Sequence, residues 1–259
     1  MVVGCELPGR TVGVIGLGAN GVLVANGALA LGMNVIGFDP VITVQRAWQM
    51  STSVQQASSV DDLLSRVDFV SFHVPLVDAT RSMINRERLR LMKDDVVILN
   101  FSRSGIIDDE AVCEAIDAGK VYAYVCDFPS NLLKRHPRVI SLPHIGASTT
   151  EAEENCAVMV VDQIRDFLED GNIRNSVNFP EMRMPRNGSY RLAVVNANVP
   201  NMLGQISTAM AESGLNILDM LNKSRGELAY TLVDVDREIE ALCIERILAV
   251  DGVLNARIV

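Results

Sequence analysis

Long apolar runs are absent from this 259-residue sequence, although 49% of its residues are hydrophobic and its mean hydropathy is slightly positive. No stretch is long enough to cross a bilayer. The basic segment, apolar block and cleavage site of a secretion signal are also missing. We therefore expect a cytoplasmic protein that has no membrane partner. The length suggests one large domain or two modest ones.

Paired cysteines and excess positive charge are lacking as well. The cysteines are scattered and form no C-x-x-C pair, which indicates reduced thiols and no metal site. A net charge of −9 disfavours nucleic acids and anionic membranes as partners. It does not exclude an anionic substrate, because a small molecule responds to the local field of a site. The five cysteines are Cys5, Cys113, Cys126, Cys156 and Cys243.

A glycine-rich turn near the start of the chain is the most informative motif. It follows the apolar run 11–15, precedes an Ala/Leu-rich helix pattern over 22–31, and is followed by a second apolar run that ends on an acid. Strand, glycine turn, helix, strand and acid together predict a dinucleotide-binding fold. The residues predicted to bind this cofactor are Gly16, Gly18, Ala19, Asn20, Gly21 and Asp39.

Each part of this motif has a physical role. The first glycine permits a tight turn, the second lets backbone N–H groups approach a pyrophosphate, and the third lets helix and strand pack closely. Asp39 can accept hydrogen bonds from the adenosine ribose hydroxyls. Because no Arg or Lys occurs in the five residues after Asp39, the sequence favours NAD over NADP. The alternative reading is a purely structural glycine turn.

The order of predicted strands and helices indicates an α/β protein with two domains. Strands and helices alternate over residues 1–150, which predicts a Rossmann-type, doubly wound parallel sheet. A long helix covers 151–170, and a segment rich in Asn, Pro, Arg and Gly over 171–189 is typical of a linker. Residues 190–259 have the order βαββαβ, which predicts a small ferredoxin-like α+β module suited to regulation.

Polar residues at the ends of three predicted strands suggest chemistry, because open α/β sheets bind ligands at the carboxyl ends of their strands. Arg103 offers a planar fork that matches a carboxylate. His144 can exchange a proton near neutral pH. Beside a nicotinamide, this pair suits hydride transfer from C2 of a 2-hydroxy acid. Taken alone, however, Arg103 could be a surface cation and His144 a structural histidine.

The two other histidines carry no proton chemistry in this interpretation. His136 is predicted to lie in a solvated loop. His73 is predicted to shape the cofactor groove through its backbone and through Pro75.

Four ordered motifs resemble the D-2-hydroxyacid dehydrogenases. They are the glycine turn, His73-Val74-Pro75-Leu76 with Thr80, Asn100-Phe101-Ser102-Arg103-Ser104-Gly105, and Pro143-His144-Ile145-Gly146-Ala147-Ser148-Thr149. The resemblance implies catalytic roles for Arg103 and His144. It also implies an extended cofactor site that includes His73, Pro75, Thr80, Ser102 and Asp127.

The C-terminal region resembles an ACT domain in two segments, 196–203 and 214–217. Together with the first domain, it resembles the family members that oxidise 3-phosphoglycerate with NAD at the start of L-serine synthesis. The resemblance implies that L-serine is an effector, with Asn198 and Asn216 as contacts. For both asparagines, turn and cap chemistry is the alternative. Edge-to-edge pairing of ACT-type modules implies a homodimer or a higher homo-oligomer.

Two departures from the family pattern bear on activity. An N-terminal substrate domain normally precedes the segment that matches 4–10, so we expect half of the cleft to be missing and the rate to suffer. The long helix would then leave Cys156, Val160 and Ile164 uncovered. In addition, Asn131 occupies the position of the glutamate that orients the catalytic histidine. Asn131 could fix the tautomer of His144 but would not stabilise an imidazolium as a carboxylate does.

Three functional hypotheses remain open from the sequence. The first is an NAD-dependent dehydrogenase of the 3-phosphoglycerate-oxidising type, impaired in this shortened chain. The second is a non-catalytic regulatory protein that binds NAD and senses an amino acid. The third is a dehydrogenase of another 2-hydroxy acid, which the C-terminal module disfavours.

Overall fold

The computed structural model describes residues 4–188 and 190–259. Residues 1–3, at the start of the first predicted domain, and Ser189, at the end of the predicted linker, lie outside the described residues. The chain divides after Gly146 into two compact units.

The first unit contains a seven-stranded sheet in which every neighbouring pair of strands is parallel. The prediction of a Rossmann-type parallel sheet is therefore confirmed. The spatial order is β3-β2-β1-β4-β5-β6-β7. The strands are β1 (Thr11–Ile15), β2 (Asn34–Phe38), β3 (Gln55–Gln56), β4 (Phe69–Phe72), β5 (Val96–Asn100), β6 (Val121–Cys126) and β7 (Val139–Ser141).

Five helices connect these strands, and local capping chemistry explains where several of them begin. The Ser59 hydroxyl accepts a hydrogen bond from the N–H of Asp62 at 3.0 Å, and the Asp108 carboxylate accepts one from Ala111 at 3.0 Å. The helices are α1 (Ala19–Ala30), α2 (Val44–Gln49), α3 (Val60–Arg66), α4 (Arg86–Leu91) and α5 (Asp109–Asp117). The sequence did not predict α2 or the short edge strand β3.

The strand order creates one position where neighbouring connections run in opposite directions. From β1 the chain builds outward to β2 and β3, and then it returns to place β4 on the other side of β1. The loops after β1 and β4 therefore diverge and leave a crevice at the carboxyl edge of the sheet. Ligands bind at such switch points in open α/β sheets.

The second unit consists of a long helix and a four-stranded antiparallel sheet of order β11-β8-β10-β9. The predicted element order βαββαβ is observed after the long helix. The elements are α6 (Thr150–Asp170), β8 (Tyr190–Ala197), α7 (Met202–Glu212), β9 (Ile217–Arg225), β10 (Leu228–Val235), α8 (Ala241–Leu248) and β11 (Val253–Ile258). Cys156, Val160 and Ile164 on α6 are exposed, as predicted. In the described parts of the chain, no helix is both long and apolar enough to span a membrane.

The segment predicted as a linker, 171–189, packs onto the sheet of the second unit. Ile173 and Met182 exchange two backbone hydrogen bonds of 2.8 and 2.9 Å. Met182 and Met184 are buried in one hydrophobic cluster with Tyr230 of β10. The Pro and Gly content of this segment predicted the absence of a helix. Its two methionine side chains are nevertheless as buried as hydrophobic core residues.

A buried ion pair ties this segment and α6 to the sheet. The Arg191 guanidinium donates to both carboxylate oxygens of Asp234, at 2.6 and 2.8 Å, and both side chains are fully buried. Its remaining donors reach the carbonyl oxygens of Asp170, Met184 and Pro185 at 2.9 to 3.1 Å. Every guanidinium nitrogen thus has an acceptor, which is what makes a buried charge tolerable.

The electrostatics of this pair favour the ionised carboxylate. Burial alone would raise the pKa of Asp234, but hydrogen bonds from the Arg191 guanidinium and the Asn187 N–H outweigh burial and hold the pKa below its usual range. Because the pKa of Asp234 is lower in the folded than in the unfolded state, the pair stabilises the fold above about pH 4. That contribution is lost as the pH falls through the folded-state pKa.

We predict that Asp234→Asn destabilises the second unit strongly. The substitution leaves the Arg191 charge buried without a counter-charge, which costs about 3–5 kcal/mol of unfolding free energy. Urea unfolding at neutral pH measures the change. The control is Asp219→Asn, an exposed aspartate opposite Asp234 in the register of β9, with an expected change within about 0.5 kcal/mol. Equal stability of the two variants would contradict a stabilising role for the buried Arg191–Asp234 ion pair.

Candidate active site

The glycine turn lies in the crevice at the switch point, between β1 and α1. Gly16 has a φ of +89°, in the left-handed region, and a Cβ on it would lie 2.5 Å from the carbonyl oxygen of His73. A Cβ on Gly21 would lie 1.8 Å from the carbonyl oxygen of Gly16. Neither position accepts a side chain. A Cβ on Gly18, in contrast, would meet no atom within 4 Å among the described residues.

The open space at Gly18 lies at the N-terminus of α1. Gly18 is the capping residue of this helix, and no side chain of the described residues caps it. The backbone N–H groups of Ala19 and Asn20 belong to the first turn, where helical N–H groups have no partner within the helix. Together with the helix dipole they form a site for an anion such as a pyrophosphate.

Asp39 lies at the end of β2, beside the glycine turn. Its carboxylate accepts hydrogen bonds from the N–H of Leu17 at 2.8 Å and from the N–H of Val41 at 2.9 Å. A carboxylate has about four acceptor positions, so both oxygens can still accept from ribose hydroxyls. The acid therefore shapes the turn, and its contact with a ribose stays a prediction.

His73 forms the opposite wall of the crevice after β4. Its Nε2 lies 2.8 Å from the Ser71 hydroxyl, and burial lowers the pKa of the imidazole. Its carbonyl oxygen lies against Gly16. The backbone of His73 therefore lies against the glycine turn, and its part in shaping the cofactor groove stays a prediction.

Two predicted cofactor residues use their hydroxyl groups to hold loops in place. Thr80 is buried and donates to the carbonyl oxygen of Pro75 at 2.6 Å, while it accepts from the N–H of Val77 at 2.9 Å. Ser102 donates to the carbonyl oxygen of Phe72. Direct contact of Pro75, Thr80 or Ser102 with a cofactor stays a prediction.

His144 follows β7, the last strand of the sheet. Its Nδ1 lies 2.8 Å from the Asp127 carboxylate, which follows the neighbouring strand β6. This finding corrects the expectation that Asn131 orients the imidazole. Asn131 is exposed four residues further along, beside the short 3₁₀ turn Leu133–Arg135. The carboxyl ends of adjacent parallel strands bring Asp127 to the histidine.

The consequence is a carboxylate–imidazole pair. The Asp127 side chain is 10% exposed and that of His144 is 39% exposed, so the acid is sheltered while the imidazole faces solvent. A carboxylate on Nδ1 fixes the tautomer that carries its lone pair on Nε2, and it stabilises the imidazolium that forms when Nε2 takes a proton. The Asp127 carboxylate therefore occupies the orienting position that was predicted for the Asn131 amide.

Arg103 follows β5, on the other side of β6. Asn100, buried at the end of β5, donates to the backbone carbonyl of Arg103 at 3.0 Å and accepts from the N–H of Ser102 at 3.2 Å. The two hydrogen bonds of Asn100 fix the backbone of this loop to the end of β5. The Arg103 guanidinium is exposed and donates to the Ser102 carbonyl at 2.8 Å. Asn100 is a supporting residue that the sequence analysis did not single out.

Phe128 joins the two predicted catalytic side chains. Its ring centroid lies 4.3 Å from that of the His144 imidazole, with a tilt of 34°. The Arg103 Cζ lies 5.7 Å from the same centroid, within the range of a cation–π contact. Phe128 was not among the residues predicted from the sequence to form the site. The available signal was its position directly after Asp127, beyond the end of a predicted strand.

The predicted cofactor residues fit a nicotinamide dinucleotide. The crevice has open space over Gly18 and an uncapped helix N-terminus for the pyrophosphate, and Asp39 for a ribose. Asp127 Oδ1 is buried and has no hydrogen-bond partner among the described residues, so it can accept from an incoming N–H donor. In the same described residues, no group of three or more His, Cys, Asp and Glu side chains could hold a metal ion.

The fold and the crevice define a dinucleotide-binding domain of the Rossmann type. The family model described as "D-isomer specific 2-hydroxyacid dehydrogenase, NAD binding domain" matches residues 1–146. The chain therefore belongs to this family, and NAD is the cofactor of the matched domain.

Curated relatives are similar over nearly the whole chain. A D-3-phosphoglycerate dehydrogenase of Methanocaldococcus jannaschii is 36% identical over 99% of this chain and 49% of the relative. The Haemophilus influenzae protein of the same name is 29% identical over 98% of this chain and 63% of the relative. The chain thus spans about half to under two thirds of these relatives.

Solved structures of related dehydrogenases are similar over about two thirds of the chain. A glyoxylate reductase from Paecilomyes thermophila superposes with a TM-score of 0.61 at 31% identity, over 68% of this chain and 54% of the other. A D-lactate dehydrogenase from Aquifex aeolicus, in complex with NAD and lactic acid, gives a TM-score of 0.55 at 30% identity, over 64% and 56%.

The predicted effector residues are not brought together. Asn198 follows β8 and donates to the carbonyl oxygen of Gly226 at 3.0 Å. Asn216 precedes β9, and its N–H donates to Asp236 at 3.0 Å. The register of β10 places these two positions at opposite ends of the sheet. Within one chain they cannot contact the same small molecule.

We predict that Gly18→Ala weakens NADH binding at least tenfold without loss of stability. The added methyl group meets no described protein atom, so only a ligand that approaches the turn can feel it. Calorimetric titration gives the dissociation constant, and thermal unfolding gives the stability. Gly27→Ala, within α1 and equally unobstructed, is the matched control and should bind NADH normally. Equal affinities of the two variants would contradict the pyrophosphate site.

We also predict that Asp127→Asn alters the tautomer of His144. In the parent chain, ¹⁵N NMR of the neutral imidazole should show the proton on Nδ1, because the carboxylate can only accept. The amide can also donate, so the variant should show a mixture of tautomers. Asp117→Asn is the control, because Asp117 lies 3.1 Å from Nε2 of another histidine, His136. An unchanged His144 signal in Asp127→Asn would refute the pair.

Proposed function

We propose that this chain carries the NAD site and the proton-exchanging histidine of a D-2-hydroxyacid dehydrogenase. The observation that carries the proposal is a cluster at the carboxyl edge of the sheet. There the Phe128 ring lies between Arg103 and His144, and Asp127 is bonded to the imidazole. A cation for a carboxylate and a base for a hydroxyl are the two groups that oxidation of a 2-hydroxy acid requires.

The proton would move between the substrate and Nε2 of His144, and Asp127 would only orient the imidazole. During oxidation, His144 Nε2 takes the proton of the C2 hydroxyl group while the Nδ1–H remains bonded to the Asp127 carboxylate. NAD supplies the hydride acceptor. Arg103 binds the substrate carboxylate and polarises the oxygen on C2 as it becomes a carbonyl. In the reverse direction the imidazolium returns the proton to that oxygen.

For the substrate we propose 3-phosphoglycerate, which would place the reaction at the start of L-serine synthesis. The names of the curated relatives support this choice over other 2-hydroxy acids. The solved structures do not distinguish between the possible 2-hydroxy acid substrates, since they include a glyoxylate reductase and a D-lactate dehydrogenase. The relatives are also longer than this chain, so the whole reaction is assigned only as a proposal.

For the second unit we propose an ACT-type regulatory module that binds L-serine between two copies of the chain. This proposal is supported by the position of β9 at the edge of the sheet, where its outer side has no neighbouring strand among the described residues. If two copies pair β9 in antiparallel fashion, the start of one strand meets the end of the other. Asn216 of one copy would then approach Gly226 of its partner, to which the partner's Asn198 is bonded. A homodimer thus resolves the separation of the two asparagines.

The domain boundaries follow the same proposal. Residues 1–150 would bind NAD, and 190–259 would form the effector module. The helix over 151–170 and the segment over 171–189 would connect them. A cytoplasmic location fits this assignment.

We predict that the purified chain oxidises NADH in the presence of 3-phosphohydroxypyruvate, measured by the loss of NADH absorbance. His144→Gln should abolish the reaction because Nε2 no longer exchanges a proton. Arg103→Ala should raise KM, since it removes the carboxylate clamp. His136→Gln is the control and should retain the parent rate. Bound NADH without turnover would favour the alternative, a non-catalytic NAD-binding regulator. Faster turnover of another 2-oxo acid would overturn the substrate assignment.

A further inference from the structure

The sheet order explains why an aromatic ring separates Arg103 from His144. Arg103 follows β5, Phe128 follows β6 and His144 follows β7, and β6 lies between the other two strands. A side chain that projects beyond the middle strand is placed between groups that follow its neighbours. Phe128 is partly buried and contacts both side chains.

The hydrogen bond to Asp127 does not by itself fix the plane of the imidazole. A single bond at Nδ1 locates one atom of the ring and leaves rotation about the bond direction. All residues from 141 to 150 are exposed, so little packing of this loop restrains His144. The face of Phe128, at 4.3 Å, supplies the second constraint.

The Arg103 side chain also needs a second contact to fix its orientation. Its side chain is exposed, and a long exposed cation loses substantial conformational entropy when it is held in one geometry. Its hydrogen bond to the Ser102 carbonyl fixes one end of the planar group. The Phe128 ring provides a surface over which the guanidinium can lie.

We propose that Phe128 is a positioning residue that sets the separation and the orientation of Arg103 and His144. The ring has no group that could exchange a proton or bind a carboxylate. It acts through the two groups that would bind and deprotonate the substrate, so the inference rests on the proposed function. Chemistry of this kind is sensitive to such placement, because a displacement of about 1 Å can reduce the rate roughly 100-fold.

The structural test compares Phe128→Leu with Phe128→Tyr by NMR. The Phe128 ring current should displace the imidazole C–H signals of His144 upfield, and only three histidines contribute to that region of the spectrum. His144→Gln identifies the signals. Phe128→Leu should move them towards the values of a solvated histidine, and the Arg103 Nε–H signal should move with them. Phe128→Tyr should preserve both.

Tyr122→Leu is the matched control. Tyr122 lies near the opposite end of the same strand and also has an arginine over its ring, Arg138, at 5.7 Å. Its loss should leave the His144 and Arg103 signals unchanged. Unchanged signals in Phe128→Leu, or equal changes in both leucine variants, would overturn the proposal.

The kinetic test separates positioning from simple folding. Phe128→Leu should lower kcat about tenfold or more, with the NADH dissociation constant unchanged, and Phe128→Tyr should restore kcat. A parallel loss of NADH affinity would indicate a structural role and overturn the proposal. If the parent chain shows no turnover, the proposed function fails for this chain, while the NMR comparison still decides the role of Phe128.

Discussion

The candidate site depends on the close approach of Gly21 to the carbonyl oxygen of Gly16. A Cβ on Gly21 would overlap that oxygen, so the first turn of α1 can lie this near to the end of β1 only with glycine. The close approach aims the N-terminus of the helix into the crevice. It also leaves Leu17 where its N–H reaches Asp39 and leaves Gly16 against His73. Loops from β1, β2 and β4 are therefore assembled around one backbone contact.

The dinucleotide crevice could be predicted from the sequence because its signals are local. Glycine spacing, the apolar runs on either side and the acid at the end of the second run all lie within about thirty residues, the length of one βαβ unit. The βαββαβ order of the second unit could be predicted for the same reason, because the hydrophobic period and the turn residues of each element lie within that element or next to it. In the first unit, the parallel pairing of the strands then follows from the helical crossover connections between them.

The partners of His144 could not be predicted, because they depend on strand register. Asp127 and Asn131 are four residues apart, and only the point at which the chain leaves β6 decides which one faces the imidazole. The position of Phe128 between Arg103 and His144 requires the spatial order of three strands, which local sequence does not encode. The separation of Asn198 and Asn216 could not be predicted either, because local sequence does not show which end of the sheet each asparagine occupies.

The segment after α6 shows how a polar, proline-containing stretch can still be ordered. Two methionines bury its apolar surface, and Arg191 supplies donors for carbonyl groups that would otherwise lack partners. A lysine could not do so, because its three donors share one nitrogen, while the guanidinium spreads five over a plane. The C-terminus of α6 is fixed by the same device, since Asp170 is one of these acceptors and the Tyr230 hydroxyl donates to the carbonyl oxygen of Gly171. The C-terminus of helix α6 is therefore anchored to the four-stranded sheet.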